Sequence, residues 1–262
     1  SNEAGTITYG GSCSSLTTLA SASNNPITFN TLNGGSYSNC TIRVTDNASN
    51  VSNILPVSSF TIDTIAPTVS EVTAVTSPTN DTTPNYIFSS NEAGTITYGG
   101  SCSSLTTSAS AANNTITFST LSGGTYSDCT ITVTDSSSNP SSVLSVSSFS
   151  IDTTAPSLSE VTAVTTPTND NTSSYTFSSN EAGTITYGGS CSSQTTSASA
   201  SNNTIIFNEM ADGTYTDCTI SVSDNVSNNS SALSVSSFTI DQIAPTLSEV
   251  TVVTTPTNDN TP

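Results

Sequence analysis

Six cysteines recur in fixed register along the chain and have the plainest chemistry of any residues in it. They fall into three pairs, each with 26 residues between its members. One pair per repeat, with none left over, predicts a disulfide inside each repeat and an exported protein. Zinc is the competing interpretation, but a lone pair in a chain without histidine does not supply four ligands. The predicted disulfides join Cys13 to Cys40, Cys102 to Cys129 and Cys191 to Cys218.

Acidic residues are the other group with chemical potential. The chain has 19 of them against a single basic residue, Arg43, and a net charge of -18. Such a surface repels phosphate backbones and anionic lipid headgroups, so we expect neither nucleic-acid binding nor a polybasic membrane contact. No apolar run approaches the roughly 18 residues of a membrane span, so no membrane insertion is expected. Divalent cations are the natural partners; the alternative is that the acids only keep a Ser/Thr-rich chain soluble.

The elements that position these residues are repeated. The stretch SNEAGTITYGGSC begins at Ser1, Ser90 and Ser179, in two steps of 89 residues. A constant period of this length predicts one supersecondary unit copied in tandem. The chain then divides into a partial first repeat lacking its first two strands, two complete repeats, and the first strand and turn of a further one. Their bounds are 1–64, 65–153, 154–242 and 243–262.

Within a repeat, apolar and polar residues alternate in short runs between turn signals, which predicts an all-β unit. In the second repeat Tyr86 and Phe88 share one strand face, and Ile131 and Val133 another. The polar run 103–113 is expected to hold at most a short edge strand, and 144–151 to form the last strand. Seven such strands predict an immunoglobulin-like β-sandwich of about 90 residues.

Tyr126 lies three residues before Cys129, close to the tyrosine-corner position of immunoglobulin-like folds. A simple buried aromatic residue is the alternative interpretation of this tyrosine.

The order of short motifs along a repeat resembles a known family. ID-x-x-AP, TND-x-TP, SNEAG, GG-x-Y or DG-x-Y, and TD-x-x-x-N follow one another as in the immunoglobulin-like tandem repeats of giant bacterial surface adhesins, the biofilm-associated and RTX-type adhesins. The resemblance covers the whole chain. It implies a secreted or surface-anchored stalk of many near-identical domains, often stiffened by calcium at domain junctions. The cysteine pair in every repeat departs from the family pattern.

This resemblance also implies two calcium sites. In such a domain the entering linker, the loop between the second and third strands and the last hairpin loop lie at one end, so their acids would converge. Carboxylates with loop carbonyls and water can supply the six to eight oxygens that calcium needs. Single acids in polar loops are, however, usually just solvated. The expected ligand sets are Asp63, Glu92 and Asp135, and Asp152, Glu181 and Asp224. Asp81 and Asp170 are weaker candidates.

No residue pattern indicates catalysis. Without histidine there is no Ser-His-Asp or Cys-His arrangement, without lysine no Schiff-base nucleophile, and paired cysteines leave no free thiol. The sequence therefore predicts a structural, non-catalytic segment of an extracellular or cell-surface stalk or filament, whose partners are neighbouring repeats or copies of the same protein. The alternative is an adhesin binding module that recognises glycans or surfaces; loops such as 90–94, unchanged between copies, favour a spacer.

The two ends of the chain fall inside one repeat. We interpret them as a window on a longer periodic chain. Strand donation, in which residues 243–262 of one molecule complete the first repeat of another, is the alternative. It has the drawback that neither partner holds the counterpart of 85–89.

Overall fold

The computed structural model describes residues 1–250, 252 and 260. In this part of the chain the regular structure is all β, in several small antiparallel sheets, and no helix could cross a membrane. Contacts group the chain into two compact units. One comprises 1–77 and 82–149, and the other 78–81 and 150–262. The division into repeats remains a prediction from the sequence period.

Each repeat contributes strands at equivalent positions. The first repeat has β1 to β6: Gly5–Gly10, Leu19–Ala20, Gly35–Tyr37, Thr41–Asp46, Leu55–Pro56 and Phe60–Ile62. The second repeat has β7 to β15: Val69–Thr73, Asn85–Ser90, Gly94–Gly99, Ser108–Ala109, Asn113–Thr117, Gly124–Tyr126, Thr130–Thr134, Leu144–Ser145 and Phe149–Ile151. The third repeat has β16 to β24: Leu158–Thr162, Ser174–Ser179, Gly183–Gly188, Ser197–Ala198, Asn202–Ile206, Gly213–Tyr215, Thr219–Ser223, Leu233–Ser234 and Phe238–Ile240.

The second and third repeats have the same sheet topology. In the third repeat one sheet has the order β16-β17-β20, a second β19-β18-β22-β23, and β21 pairs with β24. Residues of the first two sheets bury their apolar side chains in a common core, because strand alternation sends every second residue inward. Tyr175 and Phe177 enter it from β17, and Ile220 and Val222 from β22, all with 1% exposure or less.

Aromatic rings form a column through this core. Successive ring centroids from Tyr175 through Phe207 and Phe238 to Tyr215 lie 6.1, 5.9 and 5.3 Å apart, within the range of favourable aromatic pairing. The Tyr215 hydroxyl donates back to the carbonyl oxygen of Ala211 at 2.9 Å, as that of Tyr126 does to Ser122. A hydroxyl bonded to backbone a few residues upstream is the feature that the tyrosine-corner interpretation requires.

The cysteines form disulfides as predicted. Cys13–Cys40, Cys102–Cys129 and Cys191–Cys218 have Cα–Cα distances of 5.3, 5.2 and 5.2 Å, and no cysteine of the described chain is free. All six are buried. Zinc is therefore not needed to explain the cysteine spacing.

The last predicted strand is wrong in one respect. Residues 144–151 do not form a single strand: Leu144–Ser145 and Phe149–Ile151 are separate strands, as are Leu233–Ser234 and Phe238–Ile240. The chain changes sheets between them, because β23 pairs with β22 and β24 with β21. The sequence also gave no sign of the short strand β21 or its counterpart β12. The predicted short edge strand within 103–113 is confirmed as β10.

Where the chain changes sheets, one backbone N–H has no partner in the strand ladder. A glutamate carboxylate accepts its hydrogen bond instead. Glu160 on β16 accepts hydrogen bonds from the N–H of Ser236 at 3.0 Å and from its hydroxyl at 2.7 Å. Glu71 does the same for Ser147 at 2.9 and 2.7 Å. The buried hydroxyl of Tyr175 has no hydrogen-bond partner in the described part. Burial and the nearby Glu160 charge raise the pKa of Tyr175.

Two predicted features of the outer repeats differ from the structure. Residues 24–28 of the first repeat form no strand, although their counterparts are β11 and β20. The chain holds no counterpart of β8 for them to pair with, and Pro26 replaces Thr115, which removes a ladder donor. Residues 243–250 also form no strand. The rest of the predicted fourth-repeat strand and turn lies outside the described residues, apart from positions 252 and 260.

We predict that replacing both Cys191 and Cys218 by serine lowers the free energy of unfolding of the third repeat by about 3.5 kcal/mol. Opening a loop of this length restores that much chain entropy to the unfolded state. Denaturant titration of the full chain would show it as an earlier transition for one repeat. Ser190→Ala, next to the disulfide, is the control that should leave the transition nearly in place.

We predict that Glu160→Gln destabilises the third repeat at pH 7. Burial acts to raise the pKa of Glu160, but the hydrogen bonds from the N–H and hydroxyl of Ser236 outweigh it and lower the pKa. A depressed carboxyl pKa gives stability that is present above the ordinary glutamate value and is lost as pH falls through the folded value. Thermal unfolding should therefore separate wild type from variant at pH 7 and bring them together only when the pH is below the depressed folded pKa of Glu160. Ser237→Ala, on the exposed neighbour, should behave as wild type at both pH values.

Candidate metal centres

The six predicted ligand residues come together in two groups of three. In each group, one carboxylate oxygen from each residue lies within 4.8 Å of the others. The first group is Asp63, Glu92 and Asp135; the second is Asp152, Glu181 and Asp224. The convergence that the sequence predicted is therefore present in the structure, once in each compact unit.

Three separate elements position each group. Asp152 comes directly after β15, in the linker that enters the third repeat, Glu181 lies in the loop between β17 and β18, and Asp224 follows β22. Because β18 begins beside the end of β22, Glu181 and Asp224 lie at the same end of the third repeat. All three residues of this group are half-buried.

Local hydrogen bonds fix the linker and the strand-connecting loop. The Asp152 Oδ1 atom accepts from the N–H of Thr154 at 3.0 Å, an Asx turn at the start of the repeat. The buried Ser179 hydroxyl donates to the Glu181 carbonyl oxygen at 2.6 Å. In the second repeat, a Cβ on Gly94 would meet the carbonyl oxygen of Thr134, so the glycine of SNEAG is needed for this loop to lie against β13.

Hydrogen bonds of Asp224 and Asn228, four residues apart, stabilise the hairpin loop that follows β22. The Asp224 Oδ1 atom accepts from the N–H of Val226 at 2.9 Å and of Asn228 at 2.8 Å, while Oδ2 accepts from the Asn228 side chain at 2.8 Å. Ser227 between them has φ of 71°, in the left-handed region that a serine rarely adopts. The same bonds recur around Asp135 and Asn139.

The asparagine also ties this loop to the linker. Asn228 Nδ2 donates to the carbonyl oxygen of Asp152 at 2.9 Å, and Asn139 Nδ2 to that of Asp63 at 3.2 Å. Sequence reasoning gave these two asparagines no role. The signal was present in the TD-x-x-x-N motif, where an asparagine follows each hairpin aspartate at the same distance.

The electrostatics of the second group are uneven. Burial, followed by the charges of Asp152 and Asp224, raises the pKa of Glu181. For Asp224, burial acts to raise the pKa, but the hydrogen bonds from Asn228, Val226 and Ser227 outweigh it and lower the pKa. Glu181 is therefore the member that bears the cost of the like charges. The chain's only basic side chain, Arg43, lies in the first repeat.

Asp81 and Asp170, the weaker candidates, lie elsewhere. Asp170 Oδ1 accepts from the N–H and the hydroxyl of Thr172 at 2.9 and 3.0 Å, which is ordinary turn geometry. Neither residue belongs to a group of three possible ligands in the described part of the chain. Asp46, the counterpart of Asp135, makes the same loop bonds in the first repeat.

Comparison with known proteins gives no family. No family model matches the chain, and no curated protein matches it. Among solved structures, it is similar to SGBP-B of the mixed-linkage glucan utilization locus of Bacteroides ovatus, in complex with a mixed-linkage heptasaccharide, with 14% identity and a TM-score of 0.20. The match covers 90% of this chain and 61% of that one, so the chain spans less than two thirds of that protein's length. A TM-score this low carries no argument about fold or ligand.

We predict that Glu181→Gln stabilises the third repeat at pH 7 when divalent cations are removed by a chelator. A raised carboxyl pKa means that the charged form is disfavoured in the folded state, so the neutral amide relieves that cost. As pH falls through the raised folded pKa, the wild type takes up its proton and the difference should shrink. Calorimetric scans of the full chain at pH 7 and about pH 4 measure both effects. Glu209→Gln, outside the group, is the matched control; a lower transition temperature for Glu181→Gln in chelator would contradict the prediction.

Proposed function

We propose that the chain is a non-catalytic structural segment of a long extracellular repeat protein that forms a cell-surface stalk or filament. The observation that carries the proposal is the repetition of one set of interactions. The core, the disulfide, the glutamate bond to the strand junction and the group of three acids recur at equivalent positions in the second and third repeats. Selection for a shared mechanical unit produces such repetition, whereas a single ligand site would need only one copy.

The immunoglobulin-like β-sandwich is the form that we propose for each repeat. Three observations in the third repeat support this form. Two sheets share one core, the disulfide is buried, and the Tyr215 hydroxyl donates back to the backbone. The motif order resembling giant bacterial surface adhesins supports the same proposal. Three disulfides support an extracellular location, because such bonds persist in oxidising compartments.

We further propose that each group of three acids holds one calcium ion. Oxygens bound to the same calcium at 2.3–2.6 Å lie at most about 5 Å apart, and the 4.8 Å limit within each group satisfies this condition. A bound cation would also offset the mutual repulsion of three carboxylates that have no basic neighbour. The remaining ligands would be carbonyl oxygens and water, and the ion would hold the linker, the strand-connecting loop and the hairpin loop together.

Calcium titration tests the site directly. Isothermal calorimetry on the full chain should give two sites, and saturating calcium should raise the transition temperature. Glu181→Gln should remove one of the two sites and leave the other, while Glu209→Gln should keep both. Heat changes indistinguishable from buffer dilution in the wild type would overturn the calcium proposal without affecting the stalk proposal.

Force spectroscopy on the full chain tests the stalk. A stalk segment should unfold in separate steps, one for each complete repeat. Each disulfide joins residues 27 apart in sequence and prevents the chain between them from extending under force. Reduction should therefore lengthen every step by about 95 Å. The Cys191→Ser and Cys218→Ser double variant should show one long and one short step without reductant. Extension without discrete steps would contradict the stalk proposal.

A further inference from the structure

One loop of the first repeat carries two neighbouring residues that can react with each other. Asn33 and Gly34 lie just before β3 and are the only Asn-Gly pair in the chain. Ser122 and Ala211 occupy the position of Asn33 in the second and third repeats. The side-chain amide that the reaction requires is therefore present in one of the three repeats at this position.

The reaction is ring closure between an asparagine side chain and the next backbone nitrogen. That nitrogen attacks the Cγ atom of the side chain and forms a succinimide. The attack needs an accessible asparagine and a following N–H that is not held in a hydrogen bond. It is fastest when the following residue is glycine, because no Cβ then crowds the ring and the backbone can turn freely.

Asn33 meets these conditions. Both Asn33 and Gly34 are exposed and lie outside the strands. Within the described residues, neither the Asn33 side chain nor the Gly34 N–H forms a hydrogen bond; only the Asn33 carbonyl oxygen does, accepting from the Tyr37 hydroxyl at 2.8 Å. The side-chain amide can therefore rotate onto the Gly34 nitrogen without breaking an existing bond.

Other exposed asparagines are protected by the fold. Asn229 is exposed, but the N–H of Ser230 donates to the carbonyl oxygen of Val222 at 2.9 Å. Asn47 is exposed as well, and the N–H that follows it donates to the Asp46 Oδ1 atom at 2.8 Å. In both loops the nitrogen that would attack is held by its hydrogen bond.

We propose that Asn33 is a site of spontaneous deamidation. The Gly34 nitrogen bonds to Asn33 Cγ, the Cγ–Nδ2 bond breaks, and the Gly34 proton leaves with Nδ2 as ammonia. Water then adds to either carbonyl of the succinimide and opens the ring, which leaves aspartate or isoaspartate at this position. Each event adds one negative charge to the net charge of -18. The reaction depends on neither the calcium ions nor the stalk function.

The two products have different effects on the loop. The Tyr37 ring stacks on Phe60 with centroids 5.2 Å apart, while its hydroxyl donates to the Asn33 carbonyl oxygen. Aspartate keeps this carbonyl in the main chain. Isoaspartate routes the main chain through the side-chain carbons, which adds one backbone atom and turns the carbonyl into a free carboxylate. Isoaspartate therefore disturbs the tyrosine bond, and aspartate leaves it in place.

Peptide mapping by mass spectrometry after incubation of the folded full chain at mildly alkaline pH tests the proposal. Arg43 is the only basic residue, so trypsin releases residues 1–43 as one peptide that contains Asn33. A chymotryptic digest gives the rate at Asn229. Asn33 should deamidate at least about tenfold faster than Asn229. Unfolding and reducing the chain before incubation should accelerate Asn229 much more than Asn33. A folded Asn33 no faster than Asn229, or equal acceleration of the two on unfolding, would overturn the proposal.

Two variants identify the attacking nitrogen. Gly34→Ala should slow deamidation of Asn33 at least about tenfold, because its Cβ crowds the ring. That Cβ would lie 2.9 Å from Thr64 Oγ1, a hydroxyl that can rotate away, so the loop should keep its conformation. Asn33→Ser, the residue of the second repeat, should abolish the added charge at this position. An unchanged rate in folded Gly34→Ala would contradict the mechanism.

A direct probe of the ring serves if circular dichroism shows that Gly34→Ala does not fold. Hydroxylamine cleaves a chain at a succinimide, so it should split the incubated wild type between Asn33 and Gly34. Asn33→Ser treated in the same way should stay intact. Wild type that deamidates at Asn33 but resists cleavage would rule out the ring and overturn the proposal.

Discussion

Burial of two apolar sheet faces in one core is the constraint on which each repeat depends. A unit of 89 residues buries only about 60–65% of its unfolded surface, so each inward position matters. The disulfide adds to this by restricting the unfolded chain. In the second and third repeats β11 and β20 pair with β8 and β17, whereas residues 24–28 of the first repeat, where Pro26 replaces Thr115, form no strand.

Several acidic side chains in this protein accept hydrogen bonds from backbone N–H groups, both where the chain changes sheets and in the hairpin loops. Glu71 and Glu160 accept hydrogen bonds from backbone N–H groups that lose their ladder partners where the chain changes sheets. Asp135 and Asp224 accept from loop N–H groups in the same way. Such bonds favour the charged carboxylate and lower its pKa. Some of the acids that give the net charge of -18 therefore have a structural role in addition to keeping the chain soluble.

Glu181 differs from these acids. It is held beside two other carboxylates, and burial together with their charges raises its pKa. A fold that stabilises several of its acids as anions, yet holds Glu181 beside Asp152 and Asp224, has a local excess of negative charge in a defined place. This contrast is the electrostatic reason for proposing a cation at that group of three acids.

The sequence by itself determined the period, the strand alternation and the pairing of cysteines, because each of these depends on spacing along the chain. The set of acids that converge was implied by the resemblance of its motif order to immunoglobulin-like repeats. The sequence did not reveal the split of the last strand, the short strands β12 and β21, or the partners of Glu160 and Asn228. The bonds of these two residues, to Ser236 and Asp152, span 76 residues of sequence. Which backbone groups lack a ladder partner is settled only when the two sheets pack and the chain crosses between them. Only the tertiary structure could therefore decide which side chains satisfy those groups.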